Sequence, residues 1–398
     1  MPSVEPSRTP CWYRHEGALV TAFATGSHAE GAQLGRDAAD LSPAADVDVR
    51  QGMVRVRLPG APDRLVTQAE QLGQRAWASA LQTAPQAAGE LSVVVQAARP
   101  AAVAAFWTAL LGYQRSGSVL SDPLRRRPAM LLREVGGPAG PRSWWHLDVS
   151  RPGGPSAEDA PGLGGQHLGG PFGVRAADAE GNVADVLPSG PCSEAPAVSA
   201  WHGGFAAQAC WRAPTGAAAA DFVVQVAGLA DAAGSAVAID RRGDRVVVDS
   251  GKDGWETQPG FPGLAAEIQA AAARAHLRAA PAGLGFVQAF LSAEDATRVR
   301  AFWRQVLGYR EDRRADVLDI VDPHGLGPVV AFQDVDEPMP RGALDAFHLR
   351  CAVPAATAVD KADRARSAGG SVGEHAPGAW AVSDPEGNAL ELVAVPEV

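Results

Sequence analysis

The sequence predicts a mixed α+β protein that is built twice, and three observations carry that reading. "FWTALLGYQRS" (Phe106 to Ser116) returns about 196 positions later as "FWRQVLGYRED" (Phe302 to Asp312). "DAEGNVADVL" (Asp178 to Leu187) returns as "DPEGNALELV" (Asp384 to Val393). A strand–turn–strand pattern, "ADVDVRQGMVRVRL" from Ala45, returns more faintly as "AVAIDRRGDRVVV" from Ala236. Self-similarity at a long fixed period signals duplicated modules. The expected order is small α+β module, larger domain, small module, larger domain, with boundaries at 1–88, 89–190, 191–282 and 283–398.

The elements follow from local pattern. The hairpin from Ala45 leads into the helical "RLVTQAEQLGQRAWASAL", and the hairpin from Ala236 into "GLAAEIQAAAARAHL". From Leu91, "LSVVVQAARPAAVAAFWTALLGY" changes from apolar period 2 to period 3.6, so a strand precedes a helix. The helix should end at the Gly before Tyr. "FVQAFLSAEDATRVRAFWRQVLGY" from Phe286 repeats this, with Phe302, Val306 and Leu307 facing the sheet. A strand follows in each copy, "AMLLREV" and "PVVAFQDV", then a strand carrying a histidine, His146 or His348. The second copy adds a helix, "AATAVDKADRARSAGG". Each copy closes with D-x-E-G-N, a tight turn with Gly and Asn expected at positive φ, feeding a last strand.

Bulk composition excludes several functions. Apolar residues are 46% and charged residues 20%, a globular balance. The net charge of −10 argues against nucleic-acid binding, which needs a basic stripe. The short run "LRRRP" (Leu124 to Pro128) is expected to be a solvated loop. Cys11, Cys192, Cys210 and Cys351 are far apart and form no C-x-x-C, so neither a disulfide framework nor a structural zinc is expected. No signal peptide and no membrane span are expected, which points to a cytoplasmic protein.

Three motifs mislead. "GGSVG" (Gly369 to Gly373) matches G-x-S-x-G, but it follows a helix and precedes a strand, the reverse of a nucleophile elbow. "HGGF" (His202 to Phe205) is no stronger. "GLGGQHLGG" (Gly162 to Gly170) lacks dinucleotide-loop spacing and opens no helix.

Taken together and in order, F-W-x-x-x-L-G-Y, the mid-domain H-L and D-P-E-G-N-x-x-E resemble the vicinal oxygen chelate superfamily of glyoxalase I, bleomycin-resistance proteins, fosfomycin-resistance enzymes and extradiol dioxygenases. The resemblance implies paired βαβββ modules curled into cups, with the two cups forming a pseudo-dimer within the chain. The hairpin–helix modules resemble pterin-4a-carbinolamine dehydratase. Its paired histidines have no counterpart in "LSPAAD" (Leu41 to Asp46) or "ADAAGS" (Ala230 to Ser235), which implies scaffolds without activity.

The resemblance also implies a site. Gln288, fourteen positions before Phe302, His348, and Glu391, seven after Asp384, fall on family metal-ligand positions in the second cup. They suit one Mn²⁺, Fe²⁺, Ni²⁺ or Zn²⁺. The preceding strand offers Gln333 as a fourth donor. The first copy offers only Ser92, His146 and Asp185, a weaker set. Trp144, Trp145, Trp380 and Arg350 are candidates for substrate binding, the tryptophans as stacking surfaces. Two functions remain open. One is a small-molecule-binding protein of the glyoxalase/bleomycin-resistance type that sequesters or processes an aromatic or oxygenated metabolite. The other is a divalent-metal-dependent lyase, isomerase or transferase using the second cup.

Overall fold

The computed structural model describes residues 11–136, 145–335 and 347–398. The first small module contributes β1 (Ala18–Ala24), α1 (His28–Leu41), β2 (Asp46–Arg50), β3 (Met53–Pro59) and α2 (Pro62–Ala78). Then come β4 (Glu90–Ala97), α3 (Pro100–Leu111), β5 (Met130–Glu134), β6 (Trp145–Ser150), β7 (Arg175–Ala177) and β8 (Val183–Leu187). The second small module holds β9 (Ala206–Arg212), α4 (Gly216–Ala233), β10 (Ala238–Arg242), β11 (Arg245–Lys252) and α5 (Phe261–Arg274). The last repeat holds β12 (Phe286–Ala293), α6 (Ala296–Leu307), β13 (Val329–Asp334), β14 (Phe347–Pro354), α7 (Ala355–Ser367), β15 (Ala379–Ser383) and β16 (Ala389–Val395). Shorter strands extend the sheet edges.

The small modules share one sheet of central order β1-β3-β2-β10-β11-β9, joined where β2 pairs antiparallel with β10. Each module is β-α-β-β-α, so the hairpin and helix read from sequence lie behind a strand and helix that the pattern did not reveal. One face packs apolar residues of all four long helices, among them Leu34, Leu72, Phe222 and Ile268. Among the described residues one helix, α4, is long and apolar enough to cross a membrane by length and composition alone. Here its Phe222, Val223, Val226 and Ala230 are core residues.

The other face of this sheet is charged and buried. Asp48 and Asp240 stand opposite each other across β2–β10, a like-charge pair that would destabilise the sheet without counter-ions. Arg242 and Arg55 hold Asp48 at 2.5 and 2.7 Å, and Arg126 and Arg50 hold Asp240 at 2.5 and 2.6 Å. Burial would raise the Asp48 carboxyl, but Arg242, Arg55 and Arg50 hold it well below the usual carboxylate range. "LRRRP" is therefore not a solvated loop. Arg125 grips Asp46, Arg126 bridges Asp240 and Asp249, and Arg127 pairs with Asp122, so the run fastens the first repeat onto the small-module sheet.

The two repeats exchange halves. One sheet, cup I, has central order β7-β8-β6-β12-β13, and the other, cup II, has β15-β16-β14-β4-β5. Cup I thus takes its last strands from the first repeat and its first strands from the second, while cup II does the reverse. One hydrophobic core runs between α3, α6 and both sheets, with Trp145 edge-on to Trp303 at 5.1 Å.

The motifs that revealed the duplication tie the two cups together. Trp107 of α3 donates its indole N–H to Asp178 at 2.8 Å, and Trp303 of α6 donates to Asp384 at 2.9 Å. Each Asp also accepts from the side-chain amide and backbone N–H of the Asn four residues on, Asn182 or Asn388. The Glu of each turn accepts the backbone N–H groups leading into the helix of its repeat, Ala98 and Arg99 for Glu180, and Glu294 and Asp295 for Glu386. Within these two turns only the glycines take positive φ, Gly181 at 89° and Gly387 at 97°. The asparagines spend their side chains on the Asp instead. Gly112 and Gly308 cap α3 and α6 in the left-handed conformation, as the sequence indicates.

Candidate functional site

Because the halves are exchanged, the expected second-cup triad is divided. Gln288 lies on β12 in cup I, whereas His348 on β14 and Glu391 on β16 lie in cup II. Gln288 instead joins the residues of the weaker first-copy set.

Strand alternation builds cup I. On β6, Trp145, Leu147 and Val149 point into the core, so His146 and Asp148 point into the cup. On β12, Val287, Ala289 and Leu291 are core residues, leaving Gln288 and Phe290 in the cup. Asp148 pairs with Asp185 on one side and Gln288 on the other, and His146 pairs with Phe290. The same alternation corrects two expectations. Trp145 and Trp380 are 2% and 9% exposed and sit in the core, because the cup-facing positions beside them belong to His146 and to Ala381, which stands opposite Glu391. Trp144 lies outside the described residues.

The cup I side chains converge. His146 Nε2 is 3.4 Å from Asp148 Oδ1 and 3.7 Å from Asp185 Oδ2. Its ring stacks on Phe290 with centroids 4.5 Å apart, which fixes the plane of the imidazole. Gln288 donates Nε2–H to Asp148 at 2.8 Å, and its Oε1 accepts from Lys252 at 2.7 Å. Lys252, at the end of β11, also pairs with Asp319. Burial raises the Asp319 carboxyl, and the ammonium of Lys252 only partly offsets this. Arg175 holds Asp185 with two hydrogen bonds of 2.8 Å. Gln333 runs alongside Ser292 and donates to it, so it stands apart from the cluster.

Ligand atoms of His146, Asp148 and Asp185 all lie within 4.8 Å of one another, a spacing that a single divalent ion can span. Asp148 itself is absent from the sequence-derived site, although its spacing of two from His146 on one strand was the available signal. A second such group, His15, Glu16 and Glu90, already has Arg57 pairing with both carboxylates.

Beside cup I opens a cleft of about 250 Å³ lined by Cys192, Phe205, Trp255 and Glu256. Phe205 packs against Phe286 of β12 and beneath the Lys252 ammonium, linking cleft and cup. The aromatic wall expected from Trp145 and Trp380 is supplied here by Trp255. Burial, with Glu256 nearby, pushes the Cys192 thiol up to about 11, so it is no nucleophile at neutral pH.

In cup II, Arg133 donates to both Glu391 oxygens at 2.9 and 2.6 Å, and Arg350 approaches Glu391 at 3.7 Å. Ser92 stands opposite Arg350 where cup I has Gln288.

The family model for the glyoxalase-like domain matches residues 92–187 and 288–393. The chain therefore belongs to the glyoxalase-like family, with the domain in tandem within the vicinal oxygen chelate superfamily. Among solved structures, glyoxalase I from Zea mays is 12% identical, covers 78% of this chain and 94% of its own, and has a TM-score of 0.37. A mutant of that enzyme, also 12% identical, covers 78% and 95% with a TM-score of 0.40. A possible glyoxalase from Bacillus cereus is 17% identical over 26% of this chain and 94% of its own, with a TM-score of 0.21. A comparison with curated proteins returned no match.

Proposed function

We propose that cup I binds a small oxygenated molecule together with one divalent cation held by His146, Asp148 and Asp185. The observation that carries this reading is the convergence of one imidazole and two carboxylates from neighbouring strands. This donor set suits Mn²⁺, Fe²⁺, Ni²⁺ or Zn²⁺. When bound, such an ion polarises a coordinated oxygen and stabilises negative charge developing there. The chain's own residues do the rest. Phe290 fixes the His146 ring, and Lys252 holds the amide of Gln288 so that its N–H orients Asp148. Gln288 then acts as a positioning residue rather than a ligand. Arg175 already neutralises Asp185, so a cation must share or displace it.

That last pair favours a second reading, a metal-free binding protein of the bleomycin-resistance type with the same cup. Titration of chelator-treated, untagged protein with Mn²⁺ by calorimetry separates the two. The cation reading predicts one equivalent bound. Absence of any binding, with metabolite-induced thermal shifts unaffected by chelator, sinks it in favour of the metal-free reading.

The small modules are proposed as scaffolds akin to pterin-4a-carbinolamine dehydratase without its activity. The support is the absence of histidine in residues 41–46 and 230–235, while the second module lends Lys252 to cup I. Dehydration of a 4a-hydroxy-tetrahydropterin well above background would overturn this. Four free cysteines, two of them buried, fit a reducing, cytoplasmic setting.

A further inference from the structure

The sheet registers allow the two cups to be compared position by position. Asp185 and Gln288 flank Asp148 in cup I, and Glu391 and Ser92 flank Arg350 in cup II. His146 corresponds to His348 in the same way. Gln333, beside Ser292, corresponds to Arg133, beside Gln96. Arg175, opposite Asp185, corresponds to Ala381, opposite Glu391. Among these positions cup I carries two carboxylates and one guanidinium, and cup II carries two guanidiniums and one carboxylate. The duplicated scaffold has inverted its charge.

The cationic groups of cup II are not used up internally. The Glu391 carboxylate is paired with Arg133, and among the described residues it belongs to no cluster of cation-ligating side chains like that of cup I. Arg133 reaches it through Nη2, so its Nε–H and Nη1–H groups still point elsewhere. Arg350 is 24% exposed, and among the described residues it makes no hydrogen bond. Its nearest charged neighbour is Glu391 at 3.7 Å, too far for a hydrogen bond. An arginine side chain three-quarters withdrawn from water, with no hydrogen bond from its guanidinium among the described residues, is a receptor for a planar or tetrahedral oxyanion. Leu131 and Val393, partly exposed and inward by strand alternation, provide apolar wall beside it.

We propose that cup II is a second ligand site, specific for a small oxyanion, a carboxylate or a phosphate, bound by Arg350 and Arg133. The protein would then hold two small molecules of opposite preference in one duplicated frame. Calorimetric titration of the whole protein with inorganic phosphate and, separately, with benzoate tests this, in a low-salt buffer free of other oxyanions. Saturable binding of one equivalent of at least one probe is expected, and the probe preferred tells phosphate from carboxylate. Arg350→Met should weaken it tenfold or more, Arg350→Lys less, and Arg133→Gln several-fold, each with an unchanged melting temperature. Mn²⁺ binding in cup I should be the same in wild type and Arg350→Met, so failure here is distinct from failure of the cation reading. No saturable binding of either probe to wild type, or unchanged affinity in folded Arg350→Met, overturns the proposal.

Discussion

Replacing Trp303 by Phe probes the seam that holds the exchanged halves together. The indole is fully buried, and its N–H donates to Asp384, itself 4% exposed, at 2.9 Å. Phe keeps the aromatic contact with Phe302 but removes the donor. A hydrogen bond to a charged, buried acceptor contributes about 1.5–3 kcal/mol. The smaller ring also leaves a void in a close-packed core, worth about 1 kcal/mol more. The expected loss is therefore roughly 3 kcal/mol, a large fraction of typical domain stability. With an m-value of about 3 kcal/mol/M, the urea midpoint should fall by about 1 M. The assay is urea unfolding followed by far-UV circular dichroism, combined with Asp384→Ala in a double-mutant cycle. The two substitutions should be strongly non-additive, because each removes the same bond. A midpoint shift under about 0.3 M, or an additive cycle, refutes the clasp.

The acid limb of stability should report on Asp122. Burial alone would raise its carboxyl, but Arg127 and the backbone N–H groups of Arg126 and Leu124 hold it at about 2. A depressed folded pKa contributes stability present above the unfolded value and lost as pH falls through the folded one. The stability difference between wild type and Asp122→Asn should therefore shrink by about 2 kcal/mol between pH 4 and pH 2. A pH-independent difference contradicts it. At the charged seam, Arg126→Met strips a counter-ion from Asp240 and Asp249 and should cost about 3 kcal/mol, read as a lower urea midpoint. A loss below about 1 kcal/mol would mean that the seam does not fasten the repeats.

The duplication, the helices and their glycine caps were legible because they are local: period, cap and turn lie within a few residues of one another. The sequence reading set Gln288 with His348 and Glu391, whereas Gln288 stands in cup I with His146 and Asp185. Which module pairs with which was not legible. The edges that β6 offers to β12 and β14 offers to β4 carry the same apolar alternation, so the pattern fits either partner. The exchange places Gln288 with His146 and leaves His348 and Glu391 with two arginines. Trp145 and Trp380 belong to the core because strand alternation turns the neighbour of a cup-facing residue to the opposite face of the sheet. Arg125, Arg126 and Arg127 looked like loop charge because their partners, Asp46, Asp240 and Asp122, include two that are distant in sequence and invisible to local pattern.

The central claim is that one cation site is formed in cup I by His146, Asp148 and Asp185 of the first repeat, positioned by Gln288 and Phe290 of the second, and not by Gln288, His348 and Glu391. The measurement that tests it most directly is Mn²⁺ affinity by calorimetry in Asp185→Asn and Glu391→Gln, side by side. The account predicts at least a tenfold loss for Asp185→Asn, which removes a carboxylate 3.7 Å from His146 Nε2. It predicts no change for Glu391→Gln, whose carboxylate is committed to Arg133 in the other cup. The reverse pattern, with Glu391→Gln abolishing binding and Asp185→Asn leaving it intact, would contradict the account.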